Sequence, residues 1–165
     1  MRLFLITTWL MSLHHPRPAP PVRATVFVFL STECPISQQY ARRLAELHYE
    51  FSAHGIEFVA VFPLRTDDFK TIGRFKTEYG LPFRTQPDPQ QKLARHLRAR
   101  ITPETVLQTK TGQIIYQGAI DDWFFALGKH RPEPSQHYLQ DALRAFLANQ
   151  PVLVAKTEAV GCFIE

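Results

Sequence analysis

Cys34 and Cys162 are the only cysteines in this 165-residue chain, and Cys34 has the surroundings of a reactive thiol. It follows the polar turn Ser31-Thr32-Glu33 and precedes Pro35. Proline is best tolerated in the first turn of a helix, where its missing N–H would have no partner anyway. Cys34 therefore stands at a predicted helix N-terminus. There the dipole and the unpaired backbone N–H groups favour a thiolate and can hold the pKa well below the free value of about 8.5. The chemistry on offer is nucleophilic attack by sulfur. The competing reading, a small buried hydrophobe, sits poorly with Thr32, Glu33 and Ser37 as neighbours.

The elements on either side are those needed to present such a thiol. Val26 to Leu30 is an unbroken apolar run, the pattern of a strand buried on both faces. Beyond Ser37, the residues Tyr40, Leu44, Leu47 and Phe51 recur at spacings of 4, 3 and 4, one stripe of an α-helix. His54-Gly55 reads as a helix stop, and Ile56 to Phe62 as a second buried strand ended by Pro63. Asp67 and Asp68 suit the start of a helix with Phe69, Ile72, Phe75 and Tyr79 on its apolar side. Leu81 to Pro89 is punctuated by proline, with room for a short strand. Gln90 to Leu97 reads as a short helix. Strands near 104–109 and 113–118 flank the turn Lys110-Thr111-Gly112. A last helix is expected from Pro134-Ser135 to about Asn149, with Leu139, Leu143, Phe146 and Leu147 facing the core. This order is an α/β layout, with helices on both faces of a central sheet.

Composition narrows the class. The length suits one domain with short extensions, and the apolar content is that of a globular protein. The net charge of +4 is mild. Lys92, Arg95, Arg98 and Arg100 cluster at helical spacing without interleaved aromatics, so nucleic acid is not an expected partner. Two cysteines are too few for a disulfide scaffold. Residues 1–23 read as a leader and a proline-rich connector. Met1 to Met11 is too short to span a bilayer but fits an export signal, so any membrane association would run through this leader. An extracytoplasmic location follows from that reading, and a cytoplasmic one if the leader is no signal. Residues 24–149 form the expected domain, and 150–165 a C-terminal tail.

Strand, Cys34-Pro35-Ile36-Ser37 and helix together resemble the active-site corner of the thioredoxin-like superfamily, in particular its redoxin branch of alkyl-hydroperoxide-reductase-type and TlpA-like proteins. Ile101-Thr102-Pro103-Glu104 resembles the Thr-Pro that these proteins place, with a cis peptide, opposite the cysteine. Lys110-Thr111-Gly112 resembles the hairpin turn that follows. The resemblance covers roughly residues 24 to 149. It implies a thioredoxin-like fold with a mixed sheet of four or five strands. It also implies a thiol–disulfide oxidoreductase with Cys34 as nucleophile and Thr102, Pro103, Ser37 and Thr32 around the substrate. Disulfides or thiols of proteins or small molecules would be its partners, a thiol its electron donor, and no cofactor is called for. One departure is plain: dithiol members carry Cys-x-x-Cys, and here Ser37 holds the resolving position. Arg98 and Arg100 precede the Thr-Pro loop and would favour the thiolate if the loop faces Cys34.

With Ser37 unable to resolve a mixed disulfide, Cys162 is the internal candidate. Pro151 hinders continuation of the last helix. The tail beyond is too apolar for a free end and is expected to pack on the domain. Twelve residues separate Asn149 from Cys162. Extended, they reach about 40 Å, against a radius of gyration of about 15 Å for a domain of this size. Gly161 suggests a tight bend that presents the sulfur. Cys162 is then either a partner of Cys34 or a buried thiol in a tail that closes the sheet.

Two other classes stay in view. A peroxiredoxin-like peroxidase would carry Pro-x-x-x-Thr-x-x-Cys. Here Ser31 stands in place of the threonine and Phe27 in place of the proline. A thioredoxin-fold binding module carrying metal would need Cys34, Cys162 and one of the seven histidines to converge. Asp121-Asp122 reads as a turn or helix cap, with Trp123 and Phe124 packed against the sheet.

Overall fold

The computed structural model describes residues 20–165. The segment Met1 to Met11, read as an export signal, lies outside the described residues. The elements run β1 (Ala24–Phe29), α1 (Pro35–Phe51) with a 3-10 turn at Ser52–His54, β2 (Ile56–Phe62), α2 (Phe69–Glu78), β3 (Arg84–Pro87), α3 (Lys92–His96), β4 (Ile101–Thr102), β5 (Glu104–Thr109), β6 (Ile114–Gly118), β7 (Phe124–Ala126), β8 (Lys129–His130), α4 (Tyr138–Leu147) and β9 (Cys162–Phe163).

Five strands form one mixed sheet in the order β3-β2-β1-β5-β6. β1 is central, parallel to β2 and antiparallel to β5. Its residues alternate between two cores. Val26 and Val28 face the larger one, which is closed by Tyr40, Leu44 and Leu47 of α1, Ile72 and Phe75 of α2, and Leu139 and Leu143 of α4. Phe27 and Phe29 face a smaller one, with Val59, Val61, Val106 and the α3 residues Leu93 and Ala94. Each fully buried aliphatic or aromatic side chain contributes about 1.5–3 kcal/mol, so the face under α1 holds most of the driving force.

Several boundaries differ from expectation, each for a local reason. Helix α4 begins at Tyr138 rather than beside Pro134. The Asp122 carboxylate accepts from the Ser135 amide at 2.7 Å, the Ser135 hydroxyl at 2.6 Å and the Gln136 amide at 2.9 Å, which holds that stretch as a docked loop. Helix α3 begins at Lys92 because the Asp88 carboxylate takes the amides of Lys92 and Ala94. Phe69, expected on the apolar stripe of α2, is 83% exposed. It is the first residue after the Asp68 cap, a position turned away from the sheet. The hairpin β7–β8 had no strand-like run to announce it. Among the described residues no helix is long and apolar enough to cross a membrane.

Candidate functional site

Strand β1 ends at Phe29, and the chain turns through Leu30–Glu33 into α1. Cys34 is the N-cap residue, with Pro35 in the first turn and no side-chain cap. The turn is tied from several directions. The Ser31 amide donates to the Ser37 hydroxyl at 3.3 Å, and the Glu33 amide to the Ser31 hydroxyl at 3.3 Å. The Gln38 side-chain amide donates to the Thr32 carbonyl at 2.9 Å. Thr32 turns its hydroxyl to Asp67.

The loop facing Cys34 lies at the same end of the antiparallel β1–β5 pair. Val28 lies opposite Thr105 and Phe29 opposite Glu104, so the residues just before β5 arrive beside the start of α1. The Thr102–Pro103 peptide is cis. The Thr102 carbonyl lies 3.1 Å from the Cys34 sulfur and accepts its S–H when the thiol is protonated. Glu104 braces the loop, accepting from the amides of Arg100 at 2.8 Å and Ile101 at 3.2 Å.

The tail supplies the third side. β9 pairs antiparallel with β4, with Cys162 opposite Thr102. The Cys162 sulfur lies 2.9 Å from the Cys34 sulfur. Both cysteines are free. A disulfide bond is about 2.05 Å long, so the sulfurs need little further approach to join.

The thiols are not equivalent. Burial pushes the Cys34 thiol up, but hydrogen bonds from the Cys162 side chain and from the amide and hydroxyl of Ser37 outweigh it and hold it below its ordinary value. Burial, together with the hydrogen bond to Cys34 and the charge on it, pushes Cys162 up to about 11. The pair therefore loses its first proton from Cys34, and Cys162 donates its remaining S–H to the thiolate. The Thr102 carbonyl works against this ionisation. Arg98 and Arg100, considered as sources of positive field, are exposed, and the lowering of Cys34 comes from hydrogen bonds instead.

Of the residues singled out in the sequence, Cys34, Ser37, Thr102, Pro103 and Cys162 meet in one place. Thr32 is next to them, with its hydroxyl engaged by Asp67. Three further residues shape the site: Asp67 behind the turn, Glu104 behind the loop, and Gly161, packed against the Thr102 carbonyl so closely that an added methyl would overlap it. An acid next to a predicted helix start reads as a cap, so Asp67 gave no separate signal. Asp121 and Asp122 are structural. Asp121 accepts from the Tyr40 hydroxyl at 2.5 Å and the Trp123 amide at 3.0 Å. Among the described residues no three His, Cys, Asp or Glu side chains gather as metal ligands.

A central mixed sheet, a cysteine at the first helix and a cis Thr-Pro opposite it define a thioredoxin-like redoxin protein. The chain belongs to the AhpC/TSA family, whose model matches residues 21–117. Solved structures share the fold. An uncharacterized conserved protein from Geobacillus kaustophilus is 24% identical, with 87% of this chain and 77% of that one covered and a TM-score of 0.75. A hypothetical protein from Sinorhizobium meliloti 1021 is 24% identical, with 86% and 79% covered and a TM-score of 0.75. A secreted Mycobacterium tuberculosis disulfide oxidoreductase homologous to E. coli DsbE is 17% identical, with 77% and 81% covered and a TM-score of 0.52. No curated protein sequence matches the chain.

Proposed function

We propose that this protein is a thiol–disulfide oxidoreductase in which Cys34 is the nucleophile and Cys162 the resolving thiol. The observation that carries the reading is the 2.9 Å approach of the two sulfurs. The Cys34 thiolate attacks one sulfur of a substrate disulfide. A Cys34–substrate disulfide forms, and the other substrate sulfur leaves as a thiolate that takes a proton from water. Cys162 gives up its proton and attacks the Cys34 sulfur. The mixed disulfide breaks, the second substrate thiolate departs, and Cys34–Cys162 is left oxidised. A donor dithiol returns both electrons by the reverse exchange. Ser37 positions the thiolate, and Thr102 with Pro103 forms the wall beside the incoming sulfur. The site calls for no cofactor. An extracytoplasmic setting suits this chemistry, because disulfides persist there. The similarity in fold to a secreted disulfide oxidoreductase supports that setting.

Membership of the AhpC/TSA family favours a second reading, thiol-dependent peroxide reduction. Attack of Cys34 on a peroxide oxygen would give a sulfenic acid and an alcohol or water. Cys162 would then condense with the sulfenic acid, releasing water and forming the same disulfide. Ser31 is 1% exposed and its hydroxyl accepts from the Glu33 amide, so it is poorly placed to hold a peroxide. The deciding experiment supplies dithiothreitol and compares consumption of a model disulfide with consumption of hydrogen peroxide. Disulfide turnover that disappears in Cys34→Ser is expected. Peroxide turnover exceeding it would establish the second reading, and neither activity would reject both.

A further inference from the structure

The strand carrying Cys162 covers the edge that an incoming polypeptide would need. Residues 161–165 are fastened to the 100–102 loop along their length. Thr102 pairs with Cys162 and Ile101 with Phe163. The Thr102 hydroxyl donates to the Cys162 carbonyl at 3.3 Å, and the Ile164 amide to the Arg100 carbonyl at 2.9 Å. The Gln91 side-chain amide donates to the Glu165 carbonyl at 2.6 Å. Under this strand Cys34 is 1% exposed, and among the described residues the one sulfur within its reach is that of Cys162. A protein disulfide can meet Cys34 only after the strand has left.

Building on the proposed roles of Cys34 and Cys162, we infer that residues 161–164 are an internal copy of the substrate, and that a partner protein presents an extended Gly-Cys-x-apolar segment that replaces β9 on β4. The backbone ladder requires an extended chain but reads no side chains. The residue before the cysteine must be glycine, because the Thr102 carbonyl leaves no room for a Cβ at Gly161. The residue after the cysteine is free to vary, since Phe163 is 68% exposed. The next must be apolar, because Ile164 packs against the smaller core.

The partner cysteine arrives oxidised, as half of a disulfide. Cys34 attacks it, the partner's S–S bond breaks, and its other sulfur leaves as a thiolate. The tail and the partner segment cannot occupy β4 together. Return of the tail therefore displaces the segment while Cys162 attacks Cys34 and expels the partner's cysteine as a thiolate. Resolution and product release become one strand exchange.

The test uses the full chain with Cys162→Ser and two synthetic peptides, Ala-Val-Gly-Cys-Phe-Ile-Glu and Ala-Val-Val-Cys-Phe-Ile-Glu. The cysteine of each is carried as its mixed disulfide with thionitrobenzoate. Attack by Cys34 on the peptide sulfur releases the coloured thiolate. The glycine peptide should react at least tenfold faster than the valine peptide. Adding Gly161→Val loosens the competing tail, so both peptides should react faster with the preference kept. Cys162→Ala read in parallel guards against a fault peculiar to the serine chain. Equal rates for the two peptides, or no acceleration on loosening the tail, would overturn the inference while Cys34 still reacts with Ellman's reagent. Failure to react with Ellman's reagent in the loosened chain would overturn the underlying role of Cys34 as well.

Discussion

Thr32 hangs from one carboxylate oxygen of Asp67, which accepts its backbone amide at 3.0 Å and its hydroxyl at 2.5 Å. The turn before Cys34 is thereby tied to the segment leading into α2. The other Asp67 oxygen is buried without a hydrogen-bond partner among the described residues. Burial pushes the Asp67 carboxyl up, and the nearby Glu33 charge adds to it, against the pull of the Thr32 bonds. A carboxyl raised in the folded state favours folding when protonated. That contribution is full below the unfolded value of about 3.9 and is lost as pH rises through the folded value. Asp67→Asn keeps an acceptor and removes the charge. It should melt above the wild type at pH 7 and with it near pH 3. Asp67→Ala strips the Thr32 amide and should cost about 1–3 kcal/mol. Thermal melts at the two pH values check both, and an Asn variant that melts lower at pH 7 would refute the raised carboxyl.

Alkylation should separate the two thiols. In the reduced protein, iodoacetamide should label Cys34 with a midpoint below that of an ordinary thiol. Cys162 should follow only towards about 11. Cys162→Ala removes a hydrogen bond that favours the thiolate and should move the Cys34 midpoint upward. Mass spectrometry of peptides quenched across the pH range reads each site, and coincident midpoints would undo the assignment of the shared proton.

Substitution at the three positions around the sulfur should give distinct kinetics. Cys34→Ser should abolish turnover with little change in stability, because serine is nearly isosteric and the helix start around it is polar. Cys162→Ser should complete one half-reaction and accumulate a mixed disulfide. Ser37→Cys places a thiol three positions along α1 from Cys34 and should restore turnover on small disulfides to the Cys162→Ser chain. Stopped time courses with a model disulfide distinguish these outcomes. Full turnover by Cys162→Ser alone would exclude its resolving role.

The Cys34 corner was legible because it is local: an apolar run, a polar turn, a proline and a helical stripe lie within one short stretch. β2, β5 and the antiparallel mate β6 were legible for similar reasons. That the tail packs on the domain was expected; that it does so as a strand paired with β4 was not. β9 has two residues, too few for any periodicity, and its place depends on the Thr102 edge far away in the chain. Gly161 suggested a bend, and the chain bends there; its close approach to the Thr102 carbonyl had no signal in the sequence. Asp122 and Asp88 moved helix starts by binding amides several residues on, an effect that hydropathy does not register. The field assigned to Arg98 and Arg100 depended on side-chain direction, which spacing alone does not determine.

Tyr40 links α1 to the segment after β6. Its hydroxyl donates to Asp121, and its ring meets Trp123 edge-on at 5.4 Å between centroids. Asp121 is 3% exposed, so loss of that donor leaves an undersatisfied buried carboxylate. Tyr40→Phe should cost about 1–3 kcal/mol at pH 7. Burial pushes the Asp121 carboxyl up. The deficit should therefore shrink on acidification, as the carboxyl becomes protonated in both chains. Urea titrations at pH 7 and pH 4 measure it, and a deficit that grows in acid would count against the argument.

The separation of 128 positions from Cys34 to Cys162 gives their bond a further meaning. Oxidation turns most of the chain into a closed ring, which an unfolded chain can satisfy only by surrendering conformations. For a ring of this size the chain-entropy cost is about 5 kcal/mol. The oxidised protein should accordingly melt about 10 °C or more above the reduced one. By the same thermodynamic cycle, the folded pair is about 100 mV more reducing than the same pair in an unfolded chain. The grip of β4 on the tail is thus also a setting of redox potential. Whatever peels residues 161–165 away makes the bond they carry easier to reduce.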